Sequence, residues 1–300
     1  MSSSFRPSIF YAQHFLKDPR LVSSLLDRCT IGYDDVVYEI GPGKGMITEQ
    51  LAQRCKQVIA IEKDPRLSAL LFQKFVSMPN VTIHEGDFLH YRLPRKPYKV
   101  FANIPFNITT AIVTRLTAEE YPPEDAYLAM QKEAAGMFVG RPHESLRSLL
   151  LKPWFEVEIV HRFRRKDFVP EPRVDVVMLR LRKRGPPLVN PADRQCFRDF
   201  VVYGFTTWRP TLSSILKGIF TWQQLKHMRR ELAFDLDATP TSLSMEQWLN
   251  VFEYYKNVGN EQAMDRIVGS EKRLLQEQKR LQKVHRTRKY WRKQAGRPYQ

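Results

Sequence analysis

The chain has 300 residues, of which 43% are hydrophobic, and this is enough for one large domain or two modest ones with a buried core. Its 48 Lys and Arg residues outnumber 32 Asp and Glu residues, for a formal charge of +16 and a pI near 9.8. This charge favours a polyanionic partner, with nucleic acid ahead of an anionic membrane. The three cysteines and seven histidines form no cluster with metal-ligand spacing, and no apolar run has the length of a membrane span. We therefore expect no metal site and no transmembrane segment.

The first predicted element is a helix over residues 19–29, in which Leu21, Leu25 and Leu26 mark one apolar face. The segment before it, residues 11–16, either packs on a sheet or closes over a bound ligand. The residues by themselves leave both interpretations open.

A buried strand over 36–40 runs into Gly41-Pro42-Gly43-Lys44-Gly45, and a helix is predicted over 46–54. Glycine allows a sharp turn and a close approach of a ligand to the backbone. A phosphate-binding P-loop would need Ser or Thr after the lysine, but Gly45 follows Lys44. The alternate glycines also differ from the dinucleotide-binding spacing and resemble the first motif of S-adenosylmethionine-dependent methyltransferases.

Acidic residues end the next two predicted strands. The strand over 58–62 ends in Glu62, 21 residues after Gly41, which is close to the spacing at which an acid reaches a ribose hydroxyl. The strand over 81–85 leads into Gly86-Asp87-Phe88. Asp87 is placed to accept a hydrogen bond from an adenine amino group, with Phe88 against the ring, although Asp87 could instead cap the next turn.

The fourth strand, over 99–102, leads into Asn103-Ile104-Pro105-Phe106. The exocyclic amine of adenine is a poor nucleophile because its lone pair is delocalised into the ring. The amide oxygen of Asn103 and the carbonyl of Ile104 could accept its two N–H bonds and make the nitrogen more nucleophilic, while Pro105 stiffens the turn. Phe106 could stack on a base taken out of its own stack. The alternative is an Asn-initiated turn with a buried Phe.

Further strands are predicted over 127–131, 154–161 and 174–181, and the prolines and short connections between them indicate an antiparallel edge on a mostly parallel sheet. A basic cluster lies between the last two strands: Arg162, Arg164, Arg165 and Lys166. It is either a solvated face or an RNA-binding surface.

Gly185-Pro186-Pro187 marks a domain boundary. Helices predicted over 194–205, 212–220, 222–233 and 245–255 indicate a small all-α domain. From residue 270 to the end there are 11 Lys and Arg residues against two Glu, and Ile267, Leu274 and Leu281 recur every seven residues. We expect this tail to be disordered or a lone helix that could fold on RNA, or else a solvated segment without a specific role.

Five motifs together resemble the ribosomal RNA adenine N6-methyltransferase family, which includes the Erm and KsgA/Dim1 branches. They are Gln13-His14-Phe15-Leu16, Glu39-Ile-Gly-Pro-Gly-Lys-Gly45 with Glu62, Gly86-Asp87, Asn103-Ile-Pro-Phe106 and Phe168-Val-Pro-Glu-Pro-Arg-Val-Asp175. The resemblance covers about residues 8–255. It implies an α/β fold with a Rossmann-like class I methyltransferase sheet, an antiparallel edge and a small all-α C-terminal domain. The expected domains are 1–184 for methyl transfer, 185–258 for RNA binding and 259–300 for the basic tail.

The resemblance also implies the site residues. Asn103 and Phe106 are the expected catalytic residues, and S-adenosylmethionine is the expected cofactor. Its expected contacts are Gln13, His14, Leu16, Gly41, Gly43, Glu62, Lys63, Asp87, Phe88 and Asn103. His14 stands where the family usually has Asn, which leaves its side-chain role open although backbone contacts would survive.

Within the family, Asn103-Ile-Pro-Phe106 and Leu243-Ser-Met-Glu-Gln-Trp-Leu-Asn-Val-Phe252 are more similar to the Erm branch. This similarity implies mono- or dimethylation of one adenine in 23S rRNA, with macrolide-lincosamide-streptogramin B resistance, by a cytoplasmic monomer. The alternatives are a KsgA/Dim1-like 16S or 18S dimethylase and a non-catalytic methyltransferase-like RNA-binding or transcription factor. The intact glycine loop and Asn103-Ile-Pro-Phe106 argue against the non-catalytic alternative.

Overall fold

The computed structural model describes residues 14–118, 120–207, 211–232, 235, 237–258 and 261–280. The chain divides into two compact units. The sheet unit comprises Met1–Arg141 and Trp154–Pro186, and the helical unit comprises Pro142–Pro153 and Pro187–Gln300. One division falls beside the predicted boundary at residue 185, whereas Pro142–Pro153 interrupts the segment that the sequence assigns to the first domain.

The sheet unit is built on a seven-stranded sheet with the order β4-β3-β2-β5-β6-β9-β7. The nine strands of the unit are β1 (Phe15–Leu16), β2 (Val36–Ile40), β3 (Gln57–Glu62), β4 (Val81–Glu85), β5 (Lys99–Asn103), β6 (Asp125–Gln131), β7 (Phe155–Arg162), β8 (Phe168–Val169) and β9 (Val176–Lys183). Strands β2 to β6 pair in parallel, and β9 is antiparallel to both β6 and β7. The predicted α/β sheet with an antiparallel edge is confirmed.

Five helices accompany these strands: α1 (Pro19–Leu26), α2 (Met46–Ala52), α3 (Pro65–Phe75), α4 (Thr109–Ala118) and α5 (Lys132–Val139). Helices α1 and α2 end before the predicted residues, and α4 and α5 were not predicted. In α4, six of ten residues are β-branched, which lowers intrinsic helix propensity. Tertiary packing overrides that propensity, because Ile112, Val113 and Leu116 are buried.

The central strands carry the core of this unit. Nearly every residue of β2, β5 and β6 is buried, as expected for parallel strands covered on both faces. Phe101 and Tyr127 lie in a buried cluster that also contains Leu16 and Phe168. The core therefore joins the main sheet to the segment that precedes α1.

Leu16 and Phe168 belong to a second, two-stranded sheet. Strands β1 and β8 are antiparallel, with Phe15 opposite Val169 and Leu16 opposite Phe168. The Lys17 amide also donates to the Asp167 carbonyl at 3.1 Å. This pairing fixes residues 14–16 beside the loop that begins at Phe168.

The described part of the helical unit contains no strand. Its helices are α6 (Leu146–Leu151), α7 (Arg194–Thr206), α8 (Leu212–Leu216), α9 (Trp222–Glu231), α10 (Met245–Val258), α11 (Glu261–Ile267) and α12 over residues 270–280. Aromatic side chains of α7 and α10 form the core, with Phe200 5.6 Å from Phe252 and 6.0 Å from Trp248 between ring centroids. Among the described residues, no helix has the length and apolar character needed to cross a membrane.

The predicted basic tail is helical over its described part. Asp199 of α7 accepts hydrogen bonds from the amides of Gly269 and Glu271, at 3.0 and 2.8 Å, and Arg198 forms an ion pair with Glu271. Ile267 is buried. Residues 261–280 therefore pack as part of the helical unit, and residues 281–300, including Leu281, lie outside the described residues.

Candidate active site

The predicted site residues follow the carboxyl ends of parallel strands. Gly41 follows β2, Glu62 ends β3, Asp87 lies just beyond β4, and Asn103 ends β5. The chain places β3 and β4 on one side of β2 and then crosses to β5 on the other side, so β2 and β5 flank the switch point where such sheets bind ligands. Gly41 and Asn103 line the same cleft at this point.

The glycine loop requires left-handed backbone, with φ of 67° at Gly41, 58° at Gly43 and 76° at Gly45. A Cβ at Gly43 would lie 2.3 Å from the ring of Phe15, and one at Gly45 would lie 2.6 Å from the ring of Phe75. Two of the three glycines thus allow close packing within the protein, a reason that the ligand-based interpretation of the sequence did not include.

Glu62 holds this loop in place. Its side chain is 2% exposed, and its two carboxylate oxygens accept from the amides of Gly43 and Asp64, at 3.0 and 2.9 Å. Burial raises the pKa of Glu62, while these backbone hydrogen bonds act in the opposite direction. Each carboxylate oxygen has a further lone pair, so the group keeps acceptor capacity for a ribose hydroxyl.

Asp87 caps the next turn, which is one of the two roles that the sequence left open. Its carboxylate accepts from the Leu89 amide at 3.0 Å, which caps the turn at Phe88–His90, and it contacts Lys63 Nζ at 2.6 Å. Burial would raise the pKa of Asp87, but the hydrogen bonds and the charge of Lys63 hold it below its usual value. Phe88 is only 4% exposed and offers little surface to an adenine ring.

Asn103 is oriented by the segment before α1. Its amide nitrogen donates to the carbonyl oxygen of His14 at 2.6 Å. With the NH₂ end held in this way, the amide oxygen is the end that remains as an acceptor. The Ile104 amide is held by the Ala129 carbonyl at 3.2 Å, so the turn after β5 is anchored on β6.

His14 also contacts Phe106, the aromatic residue of the tetrapeptide Asn103-Ile104-Pro105-Phe106. Its ring stacks on Phe106 with centroids 5.4 Å apart and an interplanar angle of 27°. Its Nδ1 lies 2.7 Å from the Pro170 carbonyl, and Nδ1 must carry the proton because a carbonyl oxygen only accepts. The structure thus gives the side chain of His14 two contacts that the sequence did not predict.

Glu39 is a buried acid that the sequence indicates only as the first residue of the motif Glu39-Ile-Gly-Pro-Gly-Lys-Gly45. It is 1% exposed, and its Oε2 accepts from the Thr48 hydroxyl at 2.6 Å. Its Oε1 is buried and has no hydrogen-bond partner among the described residues. Burial raises the pKa of Glu39 to about 8. The sequence could have singled out Glu39, because it is an acid within an apolar strand that is predicted to be buried. Such groups are seldom fully buried without a partner.

Leu16 is a predicted cofactor contact whose side chain the structure places elsewhere. The side chain of Leu16 is buried in the core, which leaves only its backbone for a ligand. Gln13 lies outside the described residues. Of the others, His14, Gly41 and Asn103 line one cleft together with Phe15, Ile104, Pro105 and Phe106. Gly43, Glu62, Lys63, Asp87 and Phe88 are not among the residues that line it.

The predicted RNA-binding cluster is partly neutralised. Arg165 pairs with Asp175 at 3.1 Å, and Arg164 lies 3.6 Å from Asp167. Arg162 is exposed and lines a second cleft with Lys132. Within the described residues, no group of three or more His, Cys, Asp and Glu side chains is arranged to hold a metal ion.

Residues 4–257 match the family model described as Ribosomal RNA adenine dimethylase. The chain belongs to this family. The predicted resemblance is confirmed, and the chain is an enzyme of the rRNA adenine methyltransferase type.

Three relatives illustrate the range of this family. The chain is 32% identical over 245 residues to the rRNA adenine N-6-methyltransferase of Bacillus licheniformis, covering 81% of this chain and 85% of that protein. It is 32% identical over 263 residues to the Ribosomal RNA small subunit methyltransferase A of Bacillus mycoides, covering 82% and 89%. The crystal structure of the 23S rRNA methyltransferase ErmE superimposes with a TM-score of 0.74 at 31% identity, covering 81% of this chain and 99% of that one.

Proposed function

We propose that the protein transfers a methyl group from S-adenosylmethionine to N6 of one adenine in 23S rRNA. The observation that carries this proposal is the amide of Asn103, whose nitrogen donates to the His14 carbonyl and whose oxygen is left as the acceptor end at the cleft. Methylation of this kind confers resistance of the macrolide-lincosamide-streptogramin B type.

The acids at and near the strand ends fit the proposed cofactor. Glu62 and Asp87 follow adjacent strands and retain acceptor capacity for ribose hydroxyls and for an adenine amine. Oε1 of Glu39 is buried without a hydrogen-bond partner among the described residues, which costs free energy of folding. A cationic hydrogen-bond donor of the cofactor would remove this cost. The cofactor itself supplies an electrophilic methyl group on a sulfonium centre.

Glu62→Ala tests this assignment. The variant should bind S-adenosylmethionine more weakly by roughly 1–3 kcal/mol because the ribose hydroxyls lose a partner. Isothermal titration calorimetry on the folded variant measures the difference. Unchanged affinity would remove Glu62 from the cofactor site.

The tetrapeptide supports transfer to an exocyclic amine. We assign the Asn103 amide oxygen and the Ile104 carbonyl as acceptors of the two N–H bonds, which draws electron density onto the nitrogen. Phe106 stacks on the target base once the base is flipped out, and His14 supports the opposite side of the Phe106 ring. The methylated nitrogen then loses one proton to solvent, which restores its neutral charge.

Two kinds of relatives within the family are equally similar overall, at 32% identity, so overall identity does not select the substrate. We favour 23S rRNA because Asn103-Ile-Pro-Phe106 and the segment 243–252 resemble the Erm branch. The 32% identity to a small-subunit methyltransferase makes the small-subunit rRNA the second candidate. An rRNA substrate also supports action in the cytoplasm.

The test is incubation of the full chain with labelled S-adenosylmethionine and either protein-free 23S or protein-free 16S rRNA, followed by mapping of the labelled base. We expect one labelled adenine in 23S rRNA and none in 16S rRNA. Labelling of 16S rRNA alone would select the small-subunit alternative. No labelling of either RNA by a protein that binds the cofactor would support the non-catalytic alternative.

A further inference from the structure

Helix α9 carries an exposed tryptophan at its first residue. Trp222 is 52% exposed, and Thr221 caps the helix by accepting from the Gln224 amide. The next turns bury Leu225 and Met228 on the inner face of the helix. Trp222 is therefore not part of the core that holds α9 in the helical unit.

The outer face of the same helix is basic. It consists of Trp222, Lys226, Arg229 and Arg230, which follow the spacing i, i+4, i+7 and i+8 of one helical stripe. All four are exposed, as is Lys217 at the end of α8. We call these five residues the α9 patch.

The cations of the α9 patch are available to a ligand. Within the part of the chain that the structure describes, none of the four forms an ion pair. This differs from cations of the sheet unit such as Arg165 and Arg180, which pair with Asp175 and Asp125. Four cations without an ion pair among the described residues thus face solvent in the α9 patch, and two of them, Lys217 and Lys226, lie near the indole ring.

Two of the cations lie beside the ring. Lys217 Nζ and Lys226 Nζ are each 5.7 Å from the Trp222 ring centroid. Lysine stems are flexible, so a planar base can occupy a ring face while the ammonium groups move to the phosphates on either side. An exposed aromatic ring next to flexible lysine side chains is an arrangement that binds single-stranded nucleic acid, because the ring stacks on a base and the lysines contact phosphates.

We propose that the α9 patch binds an unpaired nucleotide of the RNA substrate, stacking its base on Trp222 and contacting the flanking phosphates with Lys217 and Lys226. This inference rests on the proposed function for its choice of RNA. A base-paired segment could offer the patch its phosphates but not a free base face. The patch therefore selects single-stranded over duplex RNA and does not select sequence.

The test compares binding of the full chain to a 12-nucleotide single-stranded RNA and to a 12-base-pair duplex, by fluorescence anisotropy at several salt concentrations. Trp222→Ala should weaken single-strand binding roughly 5- to 150-fold and leave the salt slope and the duplex affinity unchanged. Trp222→Phe should restore much of the loss. Lys226→Ala should reduce the magnitude of the single-strand log–log salt slope by about 0.7.

Tyr33→Ala is the matched control, because Tyr33 is a 79% exposed aromatic residue that does not belong to the α9 patch. It should bind both RNAs like the unchanged protein. Single-strand binding by Trp222→Ala at the unchanged affinity would overturn the proposal. Equal losses on single strand and duplex, or Trp222-dependent binding to phosphatidylserine vesicles without RNA binding, would overturn it as well.

Failure of this proposal and failure of the proposed function give different results. If rRNA is methylated and Trp222→Ala binds single strands normally, only the α9 patch is wrong. If neither 23S nor 16S rRNA is methylated but the Trp222-dependent preference for single strands persists, the patch stands as an RNA-binding site and the proposed methylation is wrong.

Discussion

At the scale of single residues, His14 contacts both Asn103 and Phe106, the two side chains of the proposed base site. Its carbonyl oxygen accepts from the Asn103 amide, and its ring stacks on Phe106. The Pro170 carbonyl in turn holds the His14 ring through Nδ1. One residue therefore orients both Asn103 and Phe106.

The orientation of Asn103 leads to the first prediction. Asn103→Ala should lower the single-turnover rate of methyl transfer by on the order of 10²-fold or more, because the variant lacks a preorganised acceptor for the reacting amine. Asn103→Asp keeps acceptor oxygens but should also be slow, since a carboxylate oxygen would face the His14 carbonyl. The rates are measured with saturating labelled cofactor. A normal rate for Asn103→Asp would show that the hydrogen bond to His14 is not needed.

Glu39 leads to a prediction on pH and stability. Its pKa in the folded protein is about 8, above the usual 4.5, so between these values the folded state holds more protons than the unfolded state. The free energy of unfolding should therefore fall as pH rises through this window, by on the order of 1–4 kcal/mol relative to Glu39→Gln. Glu62, with a raised pKa, and Asp87, with a lowered pKa, are present in both proteins, so their contributions cancel.

The measurement is urea unfolding of both proteins without cofactor at pH 5, 6.5 and 8. The difference in unfolding free energy between the unchanged protein and Glu39→Gln should shift in favour of the variant as pH rises. A difference that does not depend on pH would show that Glu39 ionises at its usual pKa.

At the scale of elements, the glycine loop is shaped by the elements packed against it. Strand β1 places Phe15 against Gly43, and helix α3 places Phe75 against Gly45. Strand β1 is itself held by β8, which lies some 150 residues later in the chain. The conformation of the loop thus depends on distant parts of the chain as well as on its own glycines.

Gly43→Ala tests this packing. The added Cβ meets the Phe15 ring and the residue keeps a positive φ, so the unfolding free energy should fall by roughly 2–4 kcal/mol. In a Phe15→Ala background the steric part disappears and the cost of Gly43→Ala should drop to about 1 kcal/mol. Gly185→Ala is the control, because no atom lies within 4 Å of its added Cβ. Additive effects of the two substitutions would contradict the proposed packing of Phe15 on Gly43.

At the scale of the whole molecule, a charge of +16 is carried by a chain of two units. Several cations of the sheet unit are paired between neighbouring strands, as with Arg180 of β9 and Asp125 of β6 at 2.7 Å. The cations of the α9 patch form no ion pair within the described residues, so they are available for long-range attraction of a polyanion.

The contacts of α12 with α7 determine which truncation tests the role of the basic tail in RNA binding. A deletion from residue 270 would remove Glu271, which pairs with Arg198 and donates to Asp199. A deletion of residues 281–300 leaves those interactions in place and removes seven Lys and Arg residues with no acid. We expect it to weaken RNA binding, to lower the salt slope by roughly 0.7 to 0.9 for each phosphate that the truncated protein no longer neutralises, and to leave the methylated adenine unchanged.

A chain of full length in which those seven cations are replaced by Gln is the matched control and should behave like the truncated protein. Equal salt slopes for the full-length and truncated proteins would show that residues 281–300 do not touch the RNA. Methylation of a different adenine after truncation would assign target choice to the tail.

The parallel strands, the antiparallel edge and the strand ends that carry Gly41, Glu62, Asp87 and Asn103 were predictable from the sequence. These features depend on local patterns, because buried parallel strands are short apolar runs and their carboxyl ends meet at one edge. Helix α4 was not predictable in this way, since its β-branched residues form a helix only through packing.

The interactions among these residues were decided by the tertiary structure. The pairing of β1 with β8, the hydrogen bond from Asn103 to His14 and the stack on Phe106 join residues far apart in the chain. The burial of Glu39 Oε1 is likewise a result of packing. A sequence pattern specifies which chemical groups reach an edge, because strand periodicity is local. Only the packed chain determines which of those groups meet, because their distances and burial depend on elements that are contiguous in space and not in sequence.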